Sequence, residues 1–95
     1  MPYWTYALQS VSDGRRYVGS TENLQLRVTL HNQGKYRYTK GHRPWRLIYA
    51  EAFATRSEAV RRECILKSGV GRRWLTAQIG KHLPLTVVEA NRQSA

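Results

Sequence analysis

Residues 17–34 read YVGSTENLQLRVTLHNQG, and this stretch decides the fold. Tyr17-Val18 is a short apolar segment that breaks at Gly19. After Ser20-Thr21 the apolar positions recur with the period of a helix, so the segment predicts a strand, a turn and a helix in succession. Leu24 and Val28 stand four residues apart on one helix face and belong to the core. Arg27 and His31, also four apart, fall on nearly the same side. A core-facing stripe that carries an arginine and a histidine breaks the local pattern, as functional sites do when polar groups are kept beside a core at some expense of stability.

Upstream, Trp4 to Ser10 is aromatic and apolar with rough alternation and reads as a first strand. Asp13-Gly14 marks a turn, so Arg16 to Val18 returns as the second arm of a hairpin closed by about five residues. That pairing brings Tyr6 and Tyr17 near each other. The helix is expected from Glu22 to Asn32, with Ser20 or Thr21 as N-cap and Asn32-Gln33-Gly34 as its stop.

Downstream, Lys35 to Arg46, KYRYTKGHRPWR, carries five Lys or Arg residues, two Tyr, a Trp and a His, with Gly41 and Pro44 as breakers. Basic residues interleaved with aromatics suit phosphates and unstacked bases; a solvated loop whose aromatics pack on the sheet fits the same composition. Leu47 to Phe53 reads as a third strand, apolar enough on both faces to be central. Thr55-Arg56-Ser57-Glu58 is a capping box that opens a second helix to about Lys67. Ala59, Val60, Cys64 and Leu66 share one arc of that helix and Glu63 falls near its middle, an acid that needs a partner or a task. Gly69 and Gly71 end it, and Arg72 to Ile79 forms a short third helix with Trp74, Leu75 and Ile79 as contacts. Trp45 and Trp74 are expected as core anchors and Cys64 as a small core residue. Residues 1–84 are thus expected to form one domain, and 85–95 a partly ordered tail with a strand at Leu85 to Val88.

Ninety-five residues allow one modest core. The net charge of +10 arises from 16 Lys plus Arg against 6 Asp plus Glu, and 12 of those 16 are arginine. Arginine forks onto phosphate oxygens, so a nucleic acid is the favoured partner. A single cysteine excludes an internal disulfide and a cysteine-based zinc site. With no long apolar run and no signal-peptide pattern at the start, the chain is expected to be cytoplasmic or nucleoid-associated.

Tyr6 and Tyr17 on adjacent strands, Arg27 and His31 on the first helix and Glu63 on the second each have an ordinary structural explanation, an Arg27–Glu63 ion pair among them. Together, in this order, they resemble the GIY-YIG nuclease superfamily. Tyr17-Val18-Gly19 matches the second half of that name. Trp4-Thr5-Tyr6 matches the first half with only the tyrosine kept. Arg27 falls ten residues after the second tyrosine, Glu63 lies within EAVRRECILKSG, and HNQG and TKGHRPWRLIYAEAF resemble the small stand-alone bacterial branch. The similarity covers roughly residues 3 to 80.

The resemblance implies an α+β fold, a small three-stranded mixed or antiparallel sheet flanked by helices in the order ββαβαα. It also implies metal-dependent hydrolysis of DNA. Glu63 would hold one Mg²⁺ or Mn²⁺, Arg27 would fork onto the phosphate, and Tyr17, Tyr6 or His31 would serve as base. Lys35, Arg37, Lys40, His42, Arg43, Arg46, Lys67, Arg72 and Arg73 are the candidate DNA contacts. Three departures stand out: Trp4-Thr5 replaces Gly-Ile, Ser20 replaces the lysine that repair-type members carry after the YIG motif, and the asparagine that some branches carry a dozen or so residues after the glutamate has no counterpart, since none lies between Asn32 and Asn91. Lys40 and His42 are candidates to replace the missing charge. With no separate recognition domain, branched, nicked or single-stranded DNA is the expected substrate, directed by a protein partner if specificity is high, and the chain is expected to be monomeric. A non-catalytic nucleic-acid-binding module is the alternative, and an RNA- or ribosome-associated protein a third reading.

Overall fold

A computed structural model describes residues 2–81. Within them the order is β1 (Tyr3–Ser10), β2 (Arg16–Thr21), α1 (Leu24–Asn32), α2 (Arg37–Lys40), β3 (Trp45–Phe53), α3 (Arg56–Lys67) and α4 (Gly69–Lys81). The expected strand at Leu85–Val88, with the rest of the 85–95 tail, lies outside the described residues.

The three strands form one sheet in the order β2-β1-β3, and both pairings are antiparallel. The central strand is therefore β1, not β3 as the apolar run Leu47–Phe53 had implied. β1 is the strand buried without interruption from Thr5 to Leu8, because helices cover both of its faces. On one face Tyr6 and Leu8 pack with Trp45 and Ala50, and Leu24 and Val28 of α1 close over them. On the other, Ala7 packs with Val18, Ile48, Leu66 and Leu75 under α3 and α4. Thr5, on this second face, donates its hydroxyl to the Ala59 carbonyl at 2.7 Å. Burying one leucine such as Leu8 contributes roughly 2 kcal/mol, so most of the fold's stability resides in these two layers.

Local chemistry fixes the joints. The N-cap of α1 is Asn23, whose side chain accepts from the Leu26 N–H at 3.1 Å, two residues later than the Thr21 expectation. Thr21 instead accepts from the Asn23 N–H and shapes the entry turn. Past the end of α1, Gly34 takes φ +80, a value that suits glycine, and Lys35 N–H returns to the Leu30 carbonyl. Asn32 then binds both backbone groups of Trp45, accepting from its N–H at 2.6 Å and donating to its carbonyl at 3.0 Å. A side chain thus stands in for a strand partner and ties α1 to the start of β3. The capping box at Thr55 and Glu58 forms as expected.

Other expectations shift. Only Ala59 and Leu66 of α3 are buried; Cys64 and Val60 are exposed, because α3 meets the sheet along a narrow seam. Trp45 is a core anchor at 4% exposure, but Trp74 is 37% exposed and lies edge-on against Tyr49 with Arg62 over its ring. It covers the rim of the core rather than filling it. The basic segment expected as a loop folds one turn, α2, on which Thr39 is fully buried.

At the α3–α4 joint, a Cβ on Gly71 would lie 1.9 Å from the Ile65 carbonyl oxygen and 2.6 Å from Leu66 Cα. Gly71→Ala is therefore expected to lower the melting temperature by more than about 10 °C, since overpacking against backbone costs about 3 kcal/mol or more in a domain of this size. Gly41→Ala, where nothing lies within 4 Å, is expected to change it by no more than about 2 °C. Thermal unfolding followed by circular dichroism compares the two.

Candidate active site

Strand pairing decides which side chains meet. Tyr6 stands opposite Gly19, and Leu8 opposite Tyr17. Without a Cβ, Gly19 lets the Tyr6 ring lie across its backbone; an added Cβ would be 2.8 Å from the Tyr6 hydroxyl and 3.2 Å from Tyr17 Cε2. The next residue, Ser20, points to the opposite face and donates its hydroxyl to Glu63 Oε1 at 2.8 Å. Because β2 is an edge strand, groups from both faces gather around its free side.

The Tyr6 hydroxyl lies 3.0 Å from His31 Nε2, and His31 Nδ1 lies 2.8 Å from Thr39 Oγ1. All three side chains are buried. Burial, with Arg27 adding to it, lowers the His31 pKa to about 4, so the ring is neutral at pH 7. A neutral imidazole has one donor and one acceptor. One ring nitrogen therefore donates and the other accepts, and the Tyr6 and Thr39 hydroxyls take the complementary roles. Burial also pushes the Tyr6 hydroxyl well above the ordinary tyrosine range; Tyr17 and Glu63 act in the same direction and Arg27 against them. Tyr6 thus stays protonated, within electrostatic reach of Tyr17, Arg27 and Glu63.

Aromatic rings frame this pair. Tyr17 lies 4.9 Å from His31 by ring centroids, and Tyr36 lies 4.5 Å from it. The Arg27 guanidinium stacks 5.0 Å over Tyr36. Arg27 Nε is buried with no hydrogen-bond partner, which is an expensive state for a cation's donor. Arg27 lines a cavity of about 210 Å³ whose other polar walls include Ser20, Thr21, Glu22 and Arg56.

The expected Arg27–Glu63 pair does not form. Glu63 binds Ser20 through one oxygen and Lys67 Nζ, at 2.6 Å, through the other. The helical spacing of four residues places Lys67 there, and the Glu63 carboxylate holds the Lys67 ammonium above its ordinary value. Lys67 is therefore the cation at Glu63, whereas His42, one of the two proposed replacements for the missing lysine, lies 2.6 Å from Asp13 in the hairpin loop.

The structure brings Tyr6, Tyr17, Arg27, His31 and Glu63 together around Gly19. The other predicted nucleic-acid contacts spread along the surface: Lys35 after α1, Arg37 and Lys40 on α2, Arg43 with its Nε donated to the Lys40 carbonyl, Arg46 exposed on β3, and Arg72 and Arg73 on α4. Sequence reasoning missed Thr39, Arg56 and Arg16. Arg56 lay inside the capping box and was read for its helix signal alone, while Thr39 carried no periodic signal in its basic segment.

Residues 2–74 match the model of the GIY-YIG catalytic domain. The chain is 38% identical over 77 residues to a UPF0213 protein of Streptococcus agalactiae, covering 80% of this chain and 86% of that protein. It is 46% identical over 57 residues to one of Staphylococcus haemolyticus, covering 59% and 70%. The solution NMR structure of the UPF0213 protein BH0048 from Bacillus halodurans superposes with a TM-score of 0.52 at 30% identity, covering 90% of this chain and all of that one.

Neutral, buried His31 couples stability to pH. Its folded pKa lies below the unfolded value, so between about pH 6.5 and 4 the unfolded chain binds a proton that the folded chain refuses, and stability falls as pH falls through that window. The loss is expected to be on the order of 3 kcal/mol. Urea unfolding at pH 7, 5.5 and 4 measures it, and His31→Gln should remove that part of the slope.

Proposed function

The chain belongs to the GIY-YIG catalytic domain family, a family of nucleases, and from that premise we propose that it is a metal-dependent endonuclease that hydrolyses DNA phosphodiesters, with branched, nicked or single-stranded DNA as the substrate. The observation that carries the reading is Arg27. Its Nε is buried with no partner, and the side chain lines a cavity with Ser20, Glu22 and Arg56, so the guanidinium is short of an acceptor of the kind a phosphate oxygen would supply.

Among the described residues no three His, Cys, Asp or Glu side chains cluster as a metal cage. The candidate ligand is the lone carboxylate of Glu63. A single hard oxygen ligand is the donor set suited to Mg²⁺ or Mn²⁺, which keep most of their water and bind through one or two carboxylates plus substrate phosphate. Glu63 would hold the ion, which when bound polarises the phosphate and stabilises its developing charge.

The remaining roles follow from the chain's own groups. Arg27 receives the phosphate oxygens as charge builds on them in the transition state. Tyr6, held by its hydrogen bond to His31 Nε2, would orient the reacting groups through its hydroxyl. Tyr17, beside His31 and lining the cavity at β2, would take the proton of the attacking water as a phenolate, its own proton having first passed to solvent. His31, neutral and fixed by Thr39, would hold the Tyr6 hydroxyl in place. Lys67, released from Glu63, supplies a cation near the leaving side.

Labelled branched, single-stranded and duplex DNA incubated with Mg²⁺, Mn²⁺ or EDTA tests the reading. Wild type is expected to cut only with metal. Glu63→Gln should abolish cleavage while binding DNA as tightly as wild type or tighter, because a negative charge facing phosphate is gone. Arg27→Ala should lose about three powers of ten or more in rate, with a smaller loss in binding. Binding with no cut under any metal would make the chain a non-catalytic nucleic-acid-binding module.

A further inference from the structure

A second cavity, about 450 Å³, opens along the free edge of β2. Its floor is Val18, Leu66 and Leu75, all apolar. Around it stand Arg16, Lys67 and Arg72, and among the described residues no carboxylate lines it. One wall is Tyr38 of α2, whose side chain contributes little to the core: the residue is 58% exposed, with Tyr17 at 6.0 Å and His42 at 6.1 Å by ring centroids. Tyr17 belongs both to this cavity and to the cluster around Tyr6. Arg16 is already ordered, its Nη1 donating to Thr76 Oγ1 at 2.8 Å.

We propose that this cavity is a binding site for one unpaired nucleotide, its base stacked on the Tyr38 ring over the apolar floor and its flanking phosphates held by Arg16, Lys67 and Arg72. The inference rests on the nuclease reading and deepens it by naming the part of the substrate that is recognised. A duplex offers only base edges in its grooves, whereas a ring can stack only on a base whose face is free. The size lies within the ordinary range of small-ligand sites and suits one base with its sugar, not a base pair within its stack. Arg16 and Arg72, with Lys67 once it leaves Glu63, match the phosphates on either side of that base. Since Tyr17 forms part of the wall, the captured nucleotide is a neighbour of the bond to be cut. Selection of nicked, branched or single-stranded substrate then arises from this cavity, without sequence readout.

The shared ligand is an unpaired nucleotide of either sugar. The experiment is fluorescence anisotropy in EDTA with a labelled oligodeoxynucleotide, the matching oligoribonucleotide, and a blunt DNA duplex of the same sequence. Wild type should prefer the single strands. Tyr38→Ala should weaken single-strand binding roughly five- to hundredfold, the worth of one stacked base, and change duplex binding by no more than about twofold; Tyr38→Phe, which keeps the ring, should restore the affinity. A preference between the two single strands identifies the sugar. Equal losses on single and double strands, or no loss on either, overturn the site. EDTA removes cleavage from the measurement. Metal-dependent cutting with Tyr38-independent binding therefore overturns this site alone, and Tyr38-dependent binding with no cutting keeps the site and overturns the nuclease reading.

Discussion

The buried hydroxyl of Tyr6 is the constraint on which the rest depends. Taken out of water without a partner it would cost about 1–3 kcal/mol, and His31 is the partner that removes this penalty. His31 in turn needs Thr39, and the carbonyl of Thr39 accepts from the Trp45 indole at 2.8 Å. The backbone of Trp45 is held by Asn32. A line of polar contacts therefore runs from β1 through α1 and α2 to β3, joining segments that no local propensity would bring together. Such networks favour one arrangement because a half-satisfied version is worse than an apolar core. They also explain how α2, a single turn far below the length at which an isolated helix is stable, keeps its place.

The second constraint is electrostatic. Sixteen cationic side chains meet six acids, and four of the acids are deployed locally: Asp13 beside Arg15 and His42, Glu51 beside Arg62, Glu58 in its helix cap, Glu63 beside Lys67. Tyr49 adds its hydroxyl to Glu51, and Arg62 continues onto Trp74. The cations near the β2 edge are left with few anions, and Arg27 Nε with none. A surface so biased draws polyanions toward that edge over a Debye length of about 8–10 Å.

Much of this was legible in the sequence. The break at Gly19 and the misplaced Arg27 and His31 located the site, because a short strand, a tight turn and a helix leave little freedom in where successive side chains point. The capping box fixed α3 for the same reason. Legibility ended where long-range partners decide. Leu47–Phe53 looked central by its apolar run, yet strand order depends on which strand two helix layers cover, and that strand was β1. Cys64 and Trp74 looked buried by type and arc, yet a narrow helix seam left both at the surface. Glu63 was correctly singled out as needing a partner, but the partner, Lys67, sat four residues away on its own helix and was read only as a DNA contact. Thr39 and Arg56 were invisible for a related reason: one acts through a tertiary hydrogen bond, the other sat inside a motif with a sufficient explanation of its own.

Among the described residues no strand pairs with the outer edge of β2, and this has one more consequence. An unpaired strand edge is a template on which another copy of the chain can add a strand, and proteins guard such edges with charge or shortness. Here the edge strand is six residues long, is interrupted by a glycine, and is flanked by Arg16, Lys67 and Arg72. Two copies approaching edge to edge would set like charges against each other before any backbone pairing could form. The cations beside the cavity thus act as a safeguard against self-association, so a variant stripped of them gives up colloidal stability as well as charge.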